Sequence, residues 1–200
     1  MTANKDLKIG GLLLAAGGSS RLGRPKQLVE FRGKTLIKIA AESLADSACS
    51  PVVVVLGAEI EKSRAEIAHL NIQIAVNVEW QTGMSSSIRA GLSQLIETSP
   101  DIDAVVITLC DMPNVTAADI DSLIDAFHPN GTSIIAASHG EVAGVPALFS
   151  SQLFPNLLTL SGDKGARNII REHPENVTRI RLRSAAFDID TPGDLKYIDG

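Results

Sequence analysis

Short apolar runs alternate along the chain with segments in which apolar residues recur every three or four positions. The runs are typical of buried strands, and the recurring positions are typical of helices with one apolar face. Strands are therefore predicted at residues 8–14, 51–56, 72–76, 102–109, 133–137, 145–149 and 177–182. Helices are predicted at residues 35–44, 58–70, 84–96, 117–127 and 164–172, with a closing helical turn at 191–197.

This alternation of strands and helices predicts an α/β fold. The run at 8–14 carries no alternating polar residues, so we expect it to be covered on both faces of a sheet. Strand–helix–strand units give parallel strands with helices on the sheet faces. We predict a three-layer α/β/α sandwich with a mostly parallel, Rossmann-like sheet. Because no linker or repeat interrupts residues 1–200, we expect a single domain.

Composition narrows the class of partner. The chain has 18 Lys and Arg against 23 Asp and Glu and a net charge of −5, which argues against a general nucleic-acid binder. Its amino-terminal segment lacks the pattern of a signal peptide, and no apolar run approaches the roughly 18 residues that span a bilayer. Two cysteines, Cys49 and Cys110, predict no disulfide framework. We expect a cytoplasmic protein with neither nucleic acid nor a membrane as its partner.

The loop after the first predicted strand concentrates small residues and positive charge. Gly17 and Gly18 permit a tight turn and a close approach of backbone N–H groups to an anion. The hydroxyl and cationic residues that follow are Ser19, Ser20, Arg21, Arg24 and Lys26. This composition is typical of a polyphosphate site, although it fits neither GxxxxGK[ST] nor GxGxxG. The alternative is an ordinary solvated loop between a strand and a helix.

Carboxylates follow the fourth predicted strand and recur near the end of the chain. Asp111 comes directly after the apolar run, at the strand end where α/β sheets bind ligands. Mg²⁺ takes oxygen ligands, commonly one or two carboxylates together with substrate phosphates. Asp188 and Asp190 alternate, so an extended segment presents them on one face. Asp111 is a candidate Mg²⁺ ligand, with a turn-forming or helix-capping aspartate as the alternative.

Two further segments combine helix starts with polar residues. Gly83 and three serines open the predicted helix at 84–96, where free N–H groups can bind an anion or a base carbonyl. Simple N-capping by a hydroxyl is the alternative. Lys164 and Arg167 lie at the start of a later helix, where the helix dipole disfavours cations unless an anion is bound.

Several motifs of the chain resemble those of one family. LAAGGSSRLGRPKQL is similar to the signature LAAGxSxRMGxxK of the nucleotidyltransferases with a MobA-like fold, and LCDMP is similar to their metal motif. WQTGMSSSIRAGL, GDKGAR and DIDTPGDL resemble motifs of the MocA-like branch, the molybdenum cofactor cytidylyltransferases. The chain departs from these patterns at Leu22, where the family often has Met, and at Gly193, where it usually has Glu.

The resemblance implies a fold of the nucleotide-diphospho-sugar transferase type and a Mg²⁺-dependent reaction. CTP would donate CMP to the phosphate of the molybdopterin cofactor, giving pyrophosphate and molybdopterin cytosine dinucleotide. The implied catalytic residues are Arg21 and Lys26, and the implied metal ligands are Asp111 and Asp190. The implied nucleotide-binding residues are Leu14, Ala15, Ala16, Gly17, Gly18, Ser19, Lys26, Gly83, Met84 and Ser85. The implied second-substrate residues are Gly144, Pro146, Gly162, Asp163, Lys164 and Arg167.

Other functions stay open at this point. GTP-dependent guanylyl transfer to molybdopterin is the first alternative, and cytidylyl or uridylyl transfer to another phosphorylated small molecule is the second. A protein of a different class, a non-catalytic carrier that hands the cofactor to a molybdenum hydroxylase apo-enzyme, is the third. The cation and carboxylates at Lys26, Asp111 and Asp190 argue against a carrier, which has no use for a metal pair.

Overall fold

The computed structural model describes residues 7–18, 25–140, 142–189 and 193–194. The strands are β1 (Ile9–Ala15), β2 (Glu30–Phe31), β3 (Lys34–Thr35), β4 (Val52–Leu56), β5 (Gln73–Val76), β6 (Ala104–Leu109), β7 (Ile134–His139), β8 (Val142–Ser150) and β9 (Val177–Arg181). The α-helices are α1 (Leu36–Ala45), α2 (Ile60–Ile67), α3 (Met84–Thr98), α4 (Ala117–Asp125), α5 (Phe154–Leu158) and α6 (Ala166–Glu172).

Seven strands form one sheet in the order β5-β4-β1-β6-β8-β7-β9. β1 pairs in parallel with β4 on one side and with β6 on the other, with Leu14 opposite Leu109. β8 runs antiparallel to β6 and to β7, which precedes it in the chain. The loops that follow β1 and β6 therefore start side by side at one edge of the sheet.

Helices cover both faces of this sheet. On one face α1, α2 and α4 pack around a core that includes Leu13, Val54 and Val106. On the other face α3, α5 and α6 pack around a core that includes Leu12. All residues of β1 are buried, as expected for a central strand with two apolar faces. The predicted three-layer α/β/α sandwich with a mostly parallel sheet is confirmed.

Several predicted bounds differ from those in the structure. The last predicted helix begins at Ala166 rather than at residue 164, and the predicted strand at 145–149 extends back to Val142. The hairpin of β2 and β3 and the five-residue helix α5 were not predicted, because such short elements carry too few apolar positions to show a period. Most of the predicted closing turn at 191–197 lies outside the described residues.

A capping box begins α4. Thr116 is the N-cap: its hydroxyl oxygen accepts a hydrogen bond from the backbone N–H of Asp119, and the Asp119 carboxylate accepts one from the backbone N–H of Thr116. This reciprocal pair satisfies two N–H groups that have no partner within the helix. Among the described residues, no helix has both the length and the apolar character needed to cross a membrane.

Candidate active site

A cleft of about 580 Å³ opens at the carboxyl ends of β1 and β6. Many of the residues that line it are candidate site residues from the sequence analysis: Leu14, Ala15, Ala16, Gly17, Gly18, Lys26, Gly83, Met84, Asp111 and Asp163. These residues are far apart in sequence, and the sheet brings them together because its parallel strands end at the same edge. The volume lies within the usual range of small-molecule sites.

An ion pair lines the cleft. Lys26 begins a short 3-10 turn after the glycine-containing loop, and Asp111 follows β6. The Lys26 Nζ donates a hydrogen bond of 2.9 Å to the Asp111 Oδ2. Their side chains are 15% and 16% exposed, so solvent screens this pair much less than an ion pair on the surface. The ammonium group of Lys26 and the carboxylate of Asp111 thus lie side by side, and both are largely shielded from solvent.

Gln27 fixes the backbone beside this ion pair. Its side chain is buried, and its Nε2 donates a hydrogen bond to the carbonyl oxygen of Ala58 at 3.1 Å. The backbone N–H of Ala58 in turn donates to the carbonyl oxygen of Ala16. A buried amide needs such a partner, and here the partner connects two loops at the strand ends. No local pattern predicts this role of Gln27, because the contact joins segments that are distant in sequence.

Trp80 lines the cleft and packs against glycines of the neighbouring loops. A Cβ atom at Gly18 would lie 2.6 Å from the Trp80 ring, and a Cβ atom at Gly57 would lie 2.8 Å from the Trp80 Cβ. At Gly17, by contrast, a Cβ atom would have no neighbour within 4 Å. Gly18 is therefore required for packing against the indole, whereas Gly17 leaves its side of the loop open to the cleft.

The start of α3 is joined to the segment before α6. Gly83 has a φ of +116°, and a Cβ atom there would lie 2.4 Å from the carbonyl oxygen of Gly162. The Ser85 Oγ donates a hydrogen bond of 2.7 Å to the same carbonyl oxygen. A Cβ atom at Gly165 would lie 2.6 Å from the Met84 Sδ. Gly83 is thus needed both for its backbone conformation and for this close approach.

The serines of α3 occupy different positions from those that the sequence implied. Ser85 is 1% exposed and does not line the cleft, because its hydroxyl is directed at Gly162. Ser87, which the sequence did not nominate, lines the cleft and accepts a hydrogen bond of 3.0 Å from the Asn77 Nδ2. Asn77 also donates to Ser86. The helix register decides which hydroxyl faces the cleft, and the motif alone does not reveal it.

The implied second-substrate residues fall into two groups. Asp163 lines the cleft, next to Gly83. Gly144 instead lies beside the Arg167 guanidinium: a Cβ atom at Gly144 would be 3.2 Å from its Nη2. Lys164 and Arg167 are exposed, whereas Pro146 is buried in β8. Of these described residues only Asp163 lines the cleft itself.

The carboxyl-terminal segment approaches the loop that follows β6. The backbone N–H of Ile189 donates a hydrogen bond of 3.0 Å to the carbonyl oxygen of Asp111. Asp188 is exposed. Asp190, Ser19 and Arg21 lie outside the described residues, so their positions stay predictions. Within the described ranges, no group of three or more Asp, Glu, His and Cys side chains could hold a metal by itself.

Cys110 lies next to the ion pair and also lines the cleft. Burial raises the pKa of its thiol from 9.0 to about 12; the Asp111 carboxylate adds to the rise and Lys26 opposes it. The thiol therefore stays protonated at neutral pH and is a poor nucleophile. Both Cys49 and Cys110 are free and buried.

The fold and the cleft are those of a nucleotide-binding α/β enzyme, and comparison with known sequences gives the family. The family described as "MobA-like NTP transferase domain" matches residues 11–177. The chain belongs to this family, and therefore to the nucleotidyltransferases.

Curated relatives carry several names. The chain is 35% identical over 193 residues to "Nicotine blue oxidoreductase" of Paenarthrobacter nicotinovorans, covering 90% of this chain and 91% of the relative. It is 27% identical over 198 residues to "Purine catabolism protein PucB" of Bacillus subtilis (strain 168), covering 94% of each. A "Probable molybdenum cofactor guanylyltransferase" of Bacillus mycoides is 25% identical over 146 residues, covering 68% of this chain and 70% of the relative.

Solved structures resemble the whole chain. Rv0371c from Mycobacterium tuberculosis H37Rv matches with a TM-score of 0.84 and 28% identity, covering 97% of this chain and 99% of that chain. A structure of Rv0371c in complex with manganese matches with a TM-score of 0.80 and 27% identity, covering 96% of this chain and 97% of that chain.

Proposed function

We propose that the protein transfers CMP from CTP to the phosphate of the molybdopterin cofactor. An oxygen of that phosphate attacks the α-phosphorus of CTP. The bond from the α-phosphorus to the oxygen bridging to the β-phosphate breaks, and pyrophosphate leaves with the electron pair. The observation that carries the proposal is the Lys26–Asp111 ion pair, which lies in one cleft with the glycines at the end of β1. Phosphoryl-type transfers depend mainly on such positioned charges.

Lys26 is the proposed catalytic cation. Its ammonium group is mostly shielded from solvent and is held by Asp111, so it is already oriented before a substrate binds. A positioned cation stabilises the charge that develops on the phosphates in the transition state. A phosphate acceptor is itself a nucleophile, so the reaction needs no strong general base. Arg21, in the loop before Lys26, is proposed as a second cation.

The donor chemistry at Asp111 fits a divalent cation. Its carboxylate is mostly shielded and lies at the ligand edge of the sheet, and Mg²⁺ takes carboxylate and phosphate oxygens. Asp190 is the proposed second ligand. It follows Ile189, whose backbone N–H donates a hydrogen bond to the carbonyl oxygen of Asp111. When bound, the metal would offset the negative charge of the phosphates. The manganese complex of the related Rv0371c supports a divalent cation here.

The opposite end of the cleft is proposed to hold the base. Gly83, Met84 and Ser87, which come from the start of α3, line the cleft and are proposed as the residues of this end. Because the Ser87 oxygen accepts a hydrogen bond from Asn77, its own proton is available to an acceptor on the base. Ser85 is proposed to position the helix start rather than to contact the nucleotide. GTP is the alternative donor, and the name of the B. mycoides relative supports it.

The phosphorylated pterin is proposed to enter beside Asp163. Gly162 and Lys164 flank this residue, and Gly144, Pro146 and Arg167 lie on the neighbouring strand and helix. The exposed side chains of Lys164 and Arg167 suit an anionic acceptor. A molybdenum hydroxylase apo-enzyme is the proposed recipient of the product.

The second candidate function is an oxidoreductase. The observation that favours it is the 35% identity to "Nicotine blue oxidoreductase" over 90% of the chain. The buried thiol of Cys110, with its raised pKa, makes a poor redox group. An assay of nicotine blue with a reduced nicotinamide as electron donor distinguishes this candidate: loss of colour without any NTP would favour it over nucleotidyl transfer.

The test of the proposal measures pyrophosphate release with CTP, GTP, UTP or ATP, Mg²⁺ and molybdopterin. We expect release with CTP that needs both the pterin and the metal. Asp111→Asn should abolish the metal-dependent release, whereas Asp125→Asn, a change on the exposed surface of α4, should keep it. If GTP is the one nucleotide of the four that gives pyrophosphate release, the donor is GTP and not CTP. No release with any of the four nucleotides would overturn the proposal.

A further inference from the structure

Arg89 on α3 contacts a segment of the chain that reaches the cleft, although it is not among the described residues that line the cleft itself. Arg89 follows Ser85 by one helical turn, so the two side chains lie on the same side of the helix. The residue is partly buried. Neither the motifs of the sequence nor the proposed chemistry assigns Arg89 a role.

The guanidinium of Arg89 donates hydrogen bonds to two oxygen atoms. Its Nη1 donates one to the carbonyl oxygen of Leu160, which lies 71 positions further along the chain, and one of 3.3 Å to the Ser85 Oγ. The Ser85 Oγ donates in turn to the carbonyl oxygen of Gly162. Hydrogen bonds from a charged donor are stronger than those between neutral groups, and bonds in such a chain strengthen one another. Arg89 thus holds Leu160 directly and Gly162 through Ser85.

Leu160 and Gly162 belong to the 159–165 segment, which joins α5 to α6. The Leu160 side chain is buried near one end of this segment, but residues 161–164 are exposed and have little packing of their own to hold them. Asp163, which lines the cleft, is one of these exposed residues. The hydrogen bonds from α3 therefore fix the backbone on the amino-terminal side of Asp163.

The contact between the 159–165 segment and the start of α3 leaves no room for a closer approach. A Cβ atom at Gly83 would lie 2.7 Å from the Asp163 Oδ1 and 2.4 Å from the carbonyl oxygen of Gly162. The backbone of Gly83 therefore prevents the segment from moving towards α3. Movement away from α3 would break the hydrogen bonds of Arg89 and Ser85. The position of Asp163 at the cleft is thus restrained in both directions.

We propose that Arg89 is a positioning residue for the second substrate. It holds the 159–165 segment against α3 and thereby keeps Asp163 at the cleft. The effect on the second substrate rests on the proposed function, in which the phosphorylated acceptor enters beside Asp163. The restraint on the segment does not rest on it, so the two are tested separately.

Limited trypsin digestion of the full chain tests the restraint. Lys164 is exposed within the segment, and cleavage after it requires the segment to open locally. Arg89→Met keeps an unbranched side chain but removes the donor, and we expect it to be cut after Lys164 about five-fold faster than the wild type, or more. Arg64→Met, the same change on the exposed surface of α2, is the matched control and should be cut there at the wild-type rate. Mass spectrometry of the fragment that begins at Gly165 measures this one cleavage.

Steady-state kinetics of the transfer assay at varied molybdopterin concentration tests the positioning role. We expect Arg89→Met to raise the KM for molybdopterin about five-fold or more and to keep kcat within about two-fold of the wild type, because a loss of uniform binding raises KM alone. Partial unfolding of the variant would instead lower kcat and leave KM unchanged, because fewer molecules would be active. Arg89→Lys keeps a charged donor on a different geometry, so its KM should lie between those of the wild type and Arg89→Met. Arg64→Met should keep the wild-type KM.

Each outcome decides one of the two questions. Cleavage after Lys164 at the wild-type rate in Arg89→Met would overturn the restraint. Faster cleavage with an unchanged KM for molybdopterin, or with a fall in kcat alone, would overturn the positioning role. A KM in Arg89→Lys as high as in Arg89→Met would also overturn it, because the charged donor would then not be what holds the segment. If the wild type transfers none of the four nucleotides, the proposed function fails, and the digestion still decides whether Arg89 holds the segment.

Discussion

Lys26 and Asp111 meet across 85 positions of sequence in a charge-assisted hydrogen bond of 2.9 Å. Opposite charges in such partial burial attract each other more strongly than on the surface. In a protein that binds a triphosphate, the same ammonium group can turn from the carboxylate to the phosphates. When a nucleotide binds, its negatively charged phosphates would thus replace the negatively charged carboxylate of Asp111 as the partner of Lys26.

The substitution Lys26→Ala should lower the kcat of nucleotidyl transfer by roughly 10²–10³-fold, the usual cost of losing one electrostatic donor in the transition state. CTP affinity should change much less, because the other contacts of the cleft remain. Steady-state kinetics at varied CTP concentration separates the two effects. Lys62→Ala, on the exposed surface of α2, is the matched control and should behave as the wild type. A near-normal kcat in Lys26→Ala would remove Lys26 from the chemistry.

The Cys110 thiol should be inert in the folded protein. Its pKa is raised to about 12, so almost no thiolate exists at pH 8, and only 7% of the residue is exposed. A disulfide reagent that reports free thiols should react with the protein at pH 8 only after denaturation. Rapid reaction in the native state that persists in Cys49→Ala would show that Cys110 is accessible.

The same thiol contributes a pH dependence with a defined sign. In the unfolded chain Cys110 loses its proton near its ordinary pKa of 9.0, whereas the folded state keeps the proton up to about 12. The contribution of this group to stability is therefore complete below pH 9 and is lost as pH rises towards 12. Cys110→Ala should make the alkaline fall in the free energy of unfolding less steep. An unchanged alkaline slope would contradict the raised pKa.

At the scale of elements, the connection between the start of α3 and residues 162–165 shapes the part of the cleft where the base is proposed to bind. Gly83→Ala would force a Cβ atom to 2.4 Å from the Gly162 carbonyl oxygen at a φ of +116°. Gly33→Ala is the matched control, because its φ is also positive, at +78°, but a Cβ atom there meets nothing within 4 Å. We expect Gly83→Ala to cost about 2 kcal/mol or more beyond the control, by urea denaturation. Equal losses would mean that the close approach is absent.

The capping box of α4 can be tested in the same way. Thr116→Ala removes the hydroxyl that accepts the Asp119 N–H, and such changes cost about 1 kcal/mol. Thr98→Ala, at the last residue of α3, removes a hydroxyl that only donates to carbonyl oxygens of its own helix and should cost less than about 0.5 kcal/mol. Denaturant titrations of both variants measure the difference. A Thr116→Ala protein as stable as Thr98→Ala would contradict the cap.

The sequence predicted the elements whose signals are local. The β-branched run of β4 and the apolar spacing of α3 are long enough to show their periods. The hairpin at Arg32 and Gly33 was missed, because its strands have only two residues each. Its turn also lacks the usual Asn-Gly signal.

At the scale of the whole molecule, the sequence could predict which loops form the site but not which side chains face it. Parallel strands end at one edge, so the loops after β1 and β6 had to meet there. Three features depend on contacts between segments that are distant in sequence. Ser87 rather than Ser85 lines the cleft, Asp163 also lines it, and Gln27 is bonded to Ala58. No local pattern encodes such contacts.

The central claim is that the cleft between β1 and β6 holds the triphosphate against Lys26 and Asp111. The most direct measurement is a crystal structure of the protein with Mg²⁺ and a CTP analogue whose α–β bridge cannot be cleaved. The account predicts a phosphate oxygen within roughly 3 Å of the Lys26 Nζ, a metal ion on the Asp111 carboxylate, and the base beside Gly83 and Ser87. A triphosphate bound outside this cleft, or bound within it without contact to either residue, would contradict the account.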